Sequence, residues 1–354
     1  MLNCIKSSLT SIISNWLQKQ WLAPTAWLIF LIPLSWVFNL LSSLRKALYA
    51  IGWLKSDALS VPVVVVGNIS VGGMGKTPLV IWLAEQLKIA GYQPGIISRG
   101  YGGSARLATE VHENSDPQQV GDEPVLIVRR THCPMFVNAN RLLAGQALLK
   151  SYPECNVILS DDGLQHYRLR RDVEIAVVNS SVMYGNKLWL LPAGPMREKA
   201  SRLESVDAIV ENCAPSAFDL NLKGTFPPVF NMQLQGEMFE SLEARQVKKP
   251  ASDFLGKPLI AIAGIGNPDR FFNQLTKLGL QFDCKVFADH HAFTAKDLTE
   301  FSEKTILMTE KDAVKCQSFT TKDAWFLPVA AMVSNSSSTS LMTLLLNKLK
   351  TTVN

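Results

Sequence analysis

Residues 61–77, VPVVVVGNISVGGMGKT, decide the fold. Val63 to Val66 form a β-branched run without polar alternation, the composition of a strand buried on both faces of a parallel sheet. The run breaks at Gly67, passes through a turn carrying Gly72, Gly73 and Gly75, and meets Lys76 and Thr77 at the start of a helical pattern. That order of strand, glycine-rich loop and helix is the layout of a phosphate cradle. Glycines let backbone N–H groups converge on an anion, and the helix N-terminus adds partial positive charge. A lysine at this point neutralises terminal phosphates, and a threonine hydroxyl can ligate magnesium. Ser70 occupies the first position of the usual G-x-x-x-x-G-K-[ST] pattern. The context therefore carries the nucleotide reading, and a glycine-rich structural turn is the alternative. Pro78 suits the first turn of the helix.

Outward from this stretch, strands and helices alternate. QPGIISRG reads as a strand closing in the loop Gly100–Gly103, a helix is expected over Glu123–Arg130, and PMFVN reads as a short strand before a helix at Asn140–Ser151. NVILS ends at Asp161-Asp162-Gly163, and EIAVVN and DAIVEN supply further strands. The pattern predicts an α/β fold with a doubly wound, mostly parallel sheet. The boundaries expected are a helical segment over 1–58, a nucleotide-binding domain over 59–224, a β-rich linker over 225–254 and a smaller α/β domain over 255–354. This last unit opens with KPLIAIAGIGNPDRF, whose Gly264-Ile-Gly266 lacks the third glycine of a dinucleotide fingerprint and reads as a tight turn.

The 354 residues suffice for two cores, and 47% hydrophobic with 18% charged residues is greasier than a typical soluble chain. A net charge of +5 suits an anionic substrate or lipid surface but is too small to argue for nucleic acid, and no basic run with interleaved aromatics occurs. The six cysteines are scattered with no C-x-x-C pair, which excludes a zinc ribbon or disulfide framework and predicts reduced, mostly buried thiols. No charged side chain lies between Lys19 and Arg45. Pro24, Pro33, Ser35 and Asn39 interrupt this apolar stretch, and Trp21, Trp27 and Trp36 favour the membrane interface over its centre. Arg45, Lys46 and Lys55 come next and suit an anionic cytoplasmic leaflet. A monotopic, membrane-dipping segment is the favoured reading, with a full span and a buried soluble helix as alternatives.

Asp161-Asp162 stands at a strand end, where a second magnesium-binding element belongs in a parallel sheet, and helix capping is the competing role. Asp122-Glu123-Pro124 reads on its own as a helix start with Asp as N-cap. In Asp289-His290-His291, adjacent side chains point apart, so one histidine supporting a carboxylate is a better expectation than a shared metal. Arg197-Glu198 could bring a cation and a carboxylate over the phosphates or form a surface ion pair.

Taken together and in order, GNISVGGMGKTP, SRGYGG, GDEP, SDDGLQH, LPAGPMRE, ADHHAFT and MTEKDAVK resemble the tetraacyldisaccharide 4′-kinase (lipid A 4′-kinase) family, and LIPLSWVF with Arg45–Tyr49 after it is similar to that family's membrane-associated start. The resemblance implies an ATP-dependent kinase acting on the 4′-hydroxyl of an acylated disaccharide phosphate at the cytoplasmic face of the inner membrane. It implies that ATP is held by Ser70, Val71, Gly72, Gly73, Met74, Gly75, Lys76 and Thr77, and Mg2+ by Thr77 and Glu198 with Asp161 and Asp162 close by. Asp122 becomes the expected base, supported by His290 rather than His291, and Arg197 the stabiliser of phosphoryl charge, while the Arg99–Gly103 loop meets the disaccharide. No obligate protein partner and no nucleic acid are expected. The competing class is a membrane-attached P-loop GTPase or maturation ATPase acting through a protein. Against it, the chain lacks N-K-x-D, and in Thr309-Glu310-Lys311-Asp312 the lysine and aspartate are adjacent.

Overall fold

The computed structural model describes residues 21, 28–179, 189–212, 226–317, 319, 323–334 and 340–353. In chain order the first elements are α1 (Leu28–Ala50), β1 (Val63–Gly67), α2 (Lys76–Ile89), β2 (Pro94–Ser98), β3 (Thr109–Glu110), α3 (Pro117–Val120), α4 (Asp122–Thr131), β4 (Met135–Val137), α5 (Arg141–Ser151), β5 (Val157–Asp161), β6 (Val173–Val178), β7 (Ala208–Asn212) and β8 (Val229–Gln235). The chain continues through β9 (Met238–Ser241), β10 (Lys248–Pro250), β11 (Leu259–Ala263), α6 (Pro268–Lys277), β12 (Asp283–Val286), α7 (Ala295–Thr299), β13 (Thr305–Thr309), α8 (Glu310–Lys315), β14 (Ala324–Leu327), β15 (Ala330–Val333) and α9 (Leu341–Val353).

Nine strands form the larger sheet in the order β15-β8-β7-β6-β1-β5-β2-β4-β3. From β8 to β4 every pairing is parallel, and only the two edges are antiparallel. The valine run explains itself here: Val64 and Val66 enter the core under α2 and α4, while Val63 and Val65 enter the core on the opposite face, under α5. A strand buried on both sides needs no polar alternation. The smaller sheet runs β10-β9-β14-β13-β11-β12 and has its own two cores.

The topology corrects the expected succession of domains. The 225–254 segment divides, with β8 joining the larger sheet and β9 and β10 the smaller. The unit expected over 255–354 leaves the smaller sheet after β14, because β15 pairs antiparallel with β8 and α9 lays Leu341, Leu345 and Leu349 into the larger core. Those leucines recur every fourth residue, the spacing of one helix face. Helix α1 continues through Pro33 and buries only Leu28 and Ser35. In its most apolar 18-residue window 11% is buried, so the core-helix alternative does not hold. Cys133, Cys155 and Cys316 are buried free thiols and Cys284 is exposed; Cys4 and Cys213, like the first twenty residues, lie outside the described set.

Candidate active site

Residues 68–75 cross from the end of β1 to the start of α2. Gly75 precedes the helix at φ 92°, and a Cβ there would stand 2.3 Å from Asn212 Nδ2, so conformation and space both demand glycine. Lys76 is the first helical residue. Its Nζ lies 3.1 Å from Asn68 Oδ1 and 3.3 Å from Asp162 Oδ1. The loop is tied to the segment beyond residue 189: Ser70 bridges Met196, Val71 N–H donates to Pro195 O at 2.8 Å, and the Arg197 and Glu198 N–H groups donate to Ile69 O at 2.7 and 3.2 Å.

Asp161 closes β5 and is 1% exposed. Asp162 then takes a left-handed conformation (φ 48°), which turns the two carboxylates to different partners. Arg197 Nη1 lies 3.0 Å from both Asp162 oxygens. Burial alone would raise the Asp162 carboxyl; Lys76 and Arg197 outweigh it and hold the group below its ordinary value. At Asp161 the charges of Lys76 and Arg141 act in the same sense but do not outweigh burial. Its Oδ2 accepts from Ser98 Oγ at 3.3 Å, and its Oδ1 is buried without a hydrogen-bond partner. Burial first, then the charges of Glu123 and Asp162, push this carboxyl well above the usual range. Buried Arg141 stands behind the pair, with Nη2 3.2 Å from Asp162 O and its charge opposing that rise.

Across the same edge of the sheet, Gly121 (φ 94°) caps α4, a position where a Cβ would meet Tyr101 O at 2.7 Å. The cap is thus glycine, and Asp122 is the first helical residue instead of the N-cap expected from residue type. The Asp122 carboxylate is 5% exposed, with Oδ2 3.1 Å from His290 Nδ1, 3.8 Å from Lys311 Nζ and 4.0 Å from Lys315 Nζ. Burial opposes ionisation, but the His290 hydrogen bond and the lysine charges prevail and bring the carboxyl down to about 2. His290 itself sits at φ 58° beside the Tyr101 ring, whereas His291 faces Asp297 at 3.3 Å and stacks on Phe287.

The lysines come from α8, the helix of Thr309-Glu310-Lys311-Asp312. This helix packs on α4 across the two sheets, with Arg130–Glu310 at 3.0 Å and Lys311–Glu123 at 3.1 Å. Asp312, fully buried, accepts from Thr309 Oγ1 and Gly264 N–H, so it is a structural cap rather than a guanine reader. The Gly264-Ile-Gly266 turn leads to Asn267, which caps α6. A cleft of about 630 Å³ opens beside the pair, lined by Tyr101, Asp122, His290, Phe293 and Lys315 among others.

The family model for tetraacyldisaccharide-1-P 4′-kinase matches residues 27–350. The chain belongs to the tetraacyldisaccharide 4′-kinase family. A relative of that name from Methylobacillus flagellatus is 49% identical over 320 residues, covering 90% of this chain and 92% of the relative. Another, from Aromatoleum aromaticum, is 50% identical over 305 residues, covering 86% and 89%. The crystal structure of the "apo" form of LpxK from Aquifex aeolicus in complex with ATP superposes with a TM-score of 0.77 at 28% identity, covering 91% of this chain and 99% of that one. Like the family, this chain is a mixed α/β kinase of lipid A biosynthesis.

Within that family frame, the structure brings Lys76, Asp162 and Arg197 into one cluster, sets Asp161 behind it, and pairs Asp122 with His290. Glu198 adjoins the cluster through Gln165, which also contacts Asn68 O and Arg197, and its carboxylate is engaged by other side chains. Its oxygens accept from Gln165 Nε2 and Tyr167 OH, both at 2.7 Å, with Arg202 Nε at 3.5 Å. Three residues escaped sequence reasoning. Arg141 reads as any helical arginine within the segment Asn140–Ser151. Glu123 was read only as part of a helix start, and Asn212 as a strand end. Asn212 donates to Met74 O at 2.7 Å and accepts from Arg270 of α6 at 3.0 Å, joining the glycine-rich loop to the smaller sheet's first helix.

Proposed function

We propose that the chain holds the phosphates of ATP on residues 70–77, orients the 4′-hydroxyl of a tetraacyldisaccharide 1-phosphate with Asp122, and works at the cytoplasmic face of the inner membrane. The observation that carries this reading is the Asp122–His290 contact of 3.1 Å at the mouth of a cleft, on the same sheet edge as Lys76.

In phosphoryl transfer the barrier falls mainly through positioning and charge neutralisation. The glycine-rich loop offers backbone N–H groups, Lys76 a charge that can leave Asp162 for a terminal phosphate, and Arg197 a guanidinium one contact away. A carboxylate held at about 2 would be a feeble base for a fully formed alkoxide. In a loose transition state, however, the hydroxyl proton departs late, so the carboxylate's work is to align the hydroxyl and receive its proton as the new P–O bond forms. His290, Lys311 and Lys315 fix the carboxylate's direction.

The residues present fit a magnesium ion. The unpartnered, buried Asp161 Oδ1 is an oxygen donor short of a cation, and Thr77 is the second residue of the adjacent helix. Magnesium keeps several waters and is typically held by one or two carboxylates together with substrate phosphates. Thr77, Asp161 and Asp162 would hold it; Glu198 would join only by exchanging Tyr167 and Gln165. Such an ion, when bound, neutralises charge on the phosphate oxygens.

Helix α1 exposes Phe30, Leu34, Trp36, Leu40 and Leu44, with Arg45 and Lys46 after them. That surface supports a monotopic or peripheral attachment to anionic lipid, where the acceptor keeps its acyl chains. Purified protein given labelled ATP, magnesium and tetraacyldisaccharide 1-phosphate should yield a doubly phosphorylated lipid. ATP hydrolysis that ignores the lipid but responds to an added protein would instead support the maturation-ATPase class.

A further inference from the structure

Helix α1 is mostly apolar and mostly exposed or half-buried, yet one of the two residues it buries is a serine. Ser35 is 6% exposed. Its hydroxyl lies 2.9 Å from Leu190 O, to which it donates, accepts from Ala193 N–H at 3.0 Å, and stands 3.2 Å from Leu31 O in its own helix. Trp21 Nε1 donates to Pro192 O at 3.0 Å, so a second side chain grips the same turn. The side chains of residues 190–193 are Leu, Leu, Pro and Ala, so the turn's own polar groups are all backbone.

The turn leads directly into the phosphate site. Pro195 O holds Val71 N–H, and Met196, three residues beyond Ala193, pairs with Ser70. Arg197 N–H is bonded to Ile69 O, and the Arg197 guanidinium meets Asp162. A continuous path of hydrogen bonds therefore runs from Ser35 through residues 190–198 to the glycine-rich loop. The apolar side chains of Ile29, Trp36, Leu40 and Leu44 are more than half exposed, which leaves them for lipid and the serine for the protein.

We propose that Ser35 is a positioning residue, whose hydroxyl sets the register of α1 against the Leu190–Ala193 turn and so holds Arg197 and the phosphate loop in working geometry. This rests on the assignment of Arg197 to the phosphate site. Removing the hydroxyl strands the buried Ala193 N–H without a partner, and the turn must shift to solvate it.

The test uses the full-length protein as Ser35→Ala and Ser35→Thr, assayed with ATP and tetraacyldisaccharide 1-phosphate in detergent micelles. Ser35→Ala is expected to lower kcat roughly tenfold while KM for the lipid and flotation with phosphatidylglycerol vesicles stay within about twofold. Amide exchange of Ala193 and Arg197 should quicken, and Ser35→Thr, which keeps the hydroxyl, should restore both kcat and protection. An unchanged kcat in Ser35→Ala overturns the proposal, as does a raised lipid KM or lost flotation with kcat intact, which would make the serine part of a lipid site. If Ser35→Ala does not fold, Trp21→Phe loosens the same turn and is judged by the same kcat and exchange criteria. Arg197→Ala separates the two levels. Full activity there sinks the assignment of Arg197, whereas an inactive Arg197→Ala beside a fully active Ser35→Ala sinks only the coupling.

Discussion

Replacing Asp122 by Asn keeps the side chain's shape and its ability to accept from Glu123 N–H, now 2.9 Å from Asp122 Oδ1, while removing the charge. The change acts on catalysis and on stability, and the two effects separate. In catalysis, an amide cannot receive the hydroxyl proton, and kcat is expected to fall by about a hundredfold or more, roughly 3 kcal/mol of transition-state stabilisation. ATP affinity should hold, since no described contact joins Asp122 to residues 70–77. In stability, the carboxyl's displacement from 3.8 to about 2 corresponds to roughly 2 kcal/mol favouring its ionised folded form. A depressed folded value gives stability that is fully present above the unfolded value and is lost as pH falls through the folded one. The wild-type protein should therefore lose this contribution between about pH 4 and pH 2, and Asp122→Asn should lack that part of the slope. Turnover with labelled ATP and lipid, a nucleotide-binding titration and urea melts against pH measure the three quantities. His290→Ala should show a milder loss of kcat, and the double variant less than the sum, because the histidine acts through the carboxylate. A folded Asp122→Asn enzyme that keeps kcat within about threefold, while losing only the acid slope, would refute the assigned chemistry and leave Asp122 a structural anchor of α4.

Lys76→Ala should abolish most turnover while the folded baseline persists, because Lys76 opens α2 at the end of the glycine-rich loop and its ammonium engages Asn68 and Asp162 rather than the core; near wild-type turnover in a folded protein would remove the phosphate-cradle reading. Asp161→Asn should raise the concentration of magnesium needed for half-maximal rate and lower kcat, yet stabilise the protein without nucleotide, since a buried carboxylate lacking a full set of partners is relieved. The sign in pH agrees: a raised folded value means stability greatest in acid and lost as pH climbs through that value, so the Asn variant should melt less steeply toward neutrality. Deletion of residues before Leu44 should cut vesicle flotation and activity on lipid micelles while ATP binding persists, and high salt should strip little of the intact protein, because apolar insertion is not screened. Unchanged flotation after truncation would move the lipid surface elsewhere.

How much the sequence disclosed depends on how far each feature reaches along the chain. The valine run is legible because a parallel strand buried on both faces writes its environment into consecutive residues. The loop from Ser70 to Thr77 and the strand-end aspartates are legible for the same local reason. Asp122 and His290 stand 168 positions apart, and residue type alone favours an N-cap at 122 and a histidine supporting some carboxylate; only the ordered family motifs join the two. The linker was drawn as one piece because β8 and β9 are adjacent in sequence, though they end in different sheets.

Glu198 marks a subtler limit. Sequence order put a carboxylate beside Arg197, but not the Tyr167, Gln165 and Arg202 side chains that now engage it. Asp161 and Glu198 consequently carry opposite burdens: one buried carboxylate has an oxygen, Oδ1, without a partner, and the other has both oxygens engaged. An incoming cation gains most at the first, because there it replaces an uncompensated desolvation, whereas at the second it must first displace hydrogen bonds already made. The magnesium concentration for half-maximal rate should therefore rise further in Asp161→Asn than in Glu198→Gln. The reverse order, measured as the magnesium concentration for half-maximal rate, would mean that Glu198 exchanges its partners when nucleotide binds and that its present contacts are the resting state.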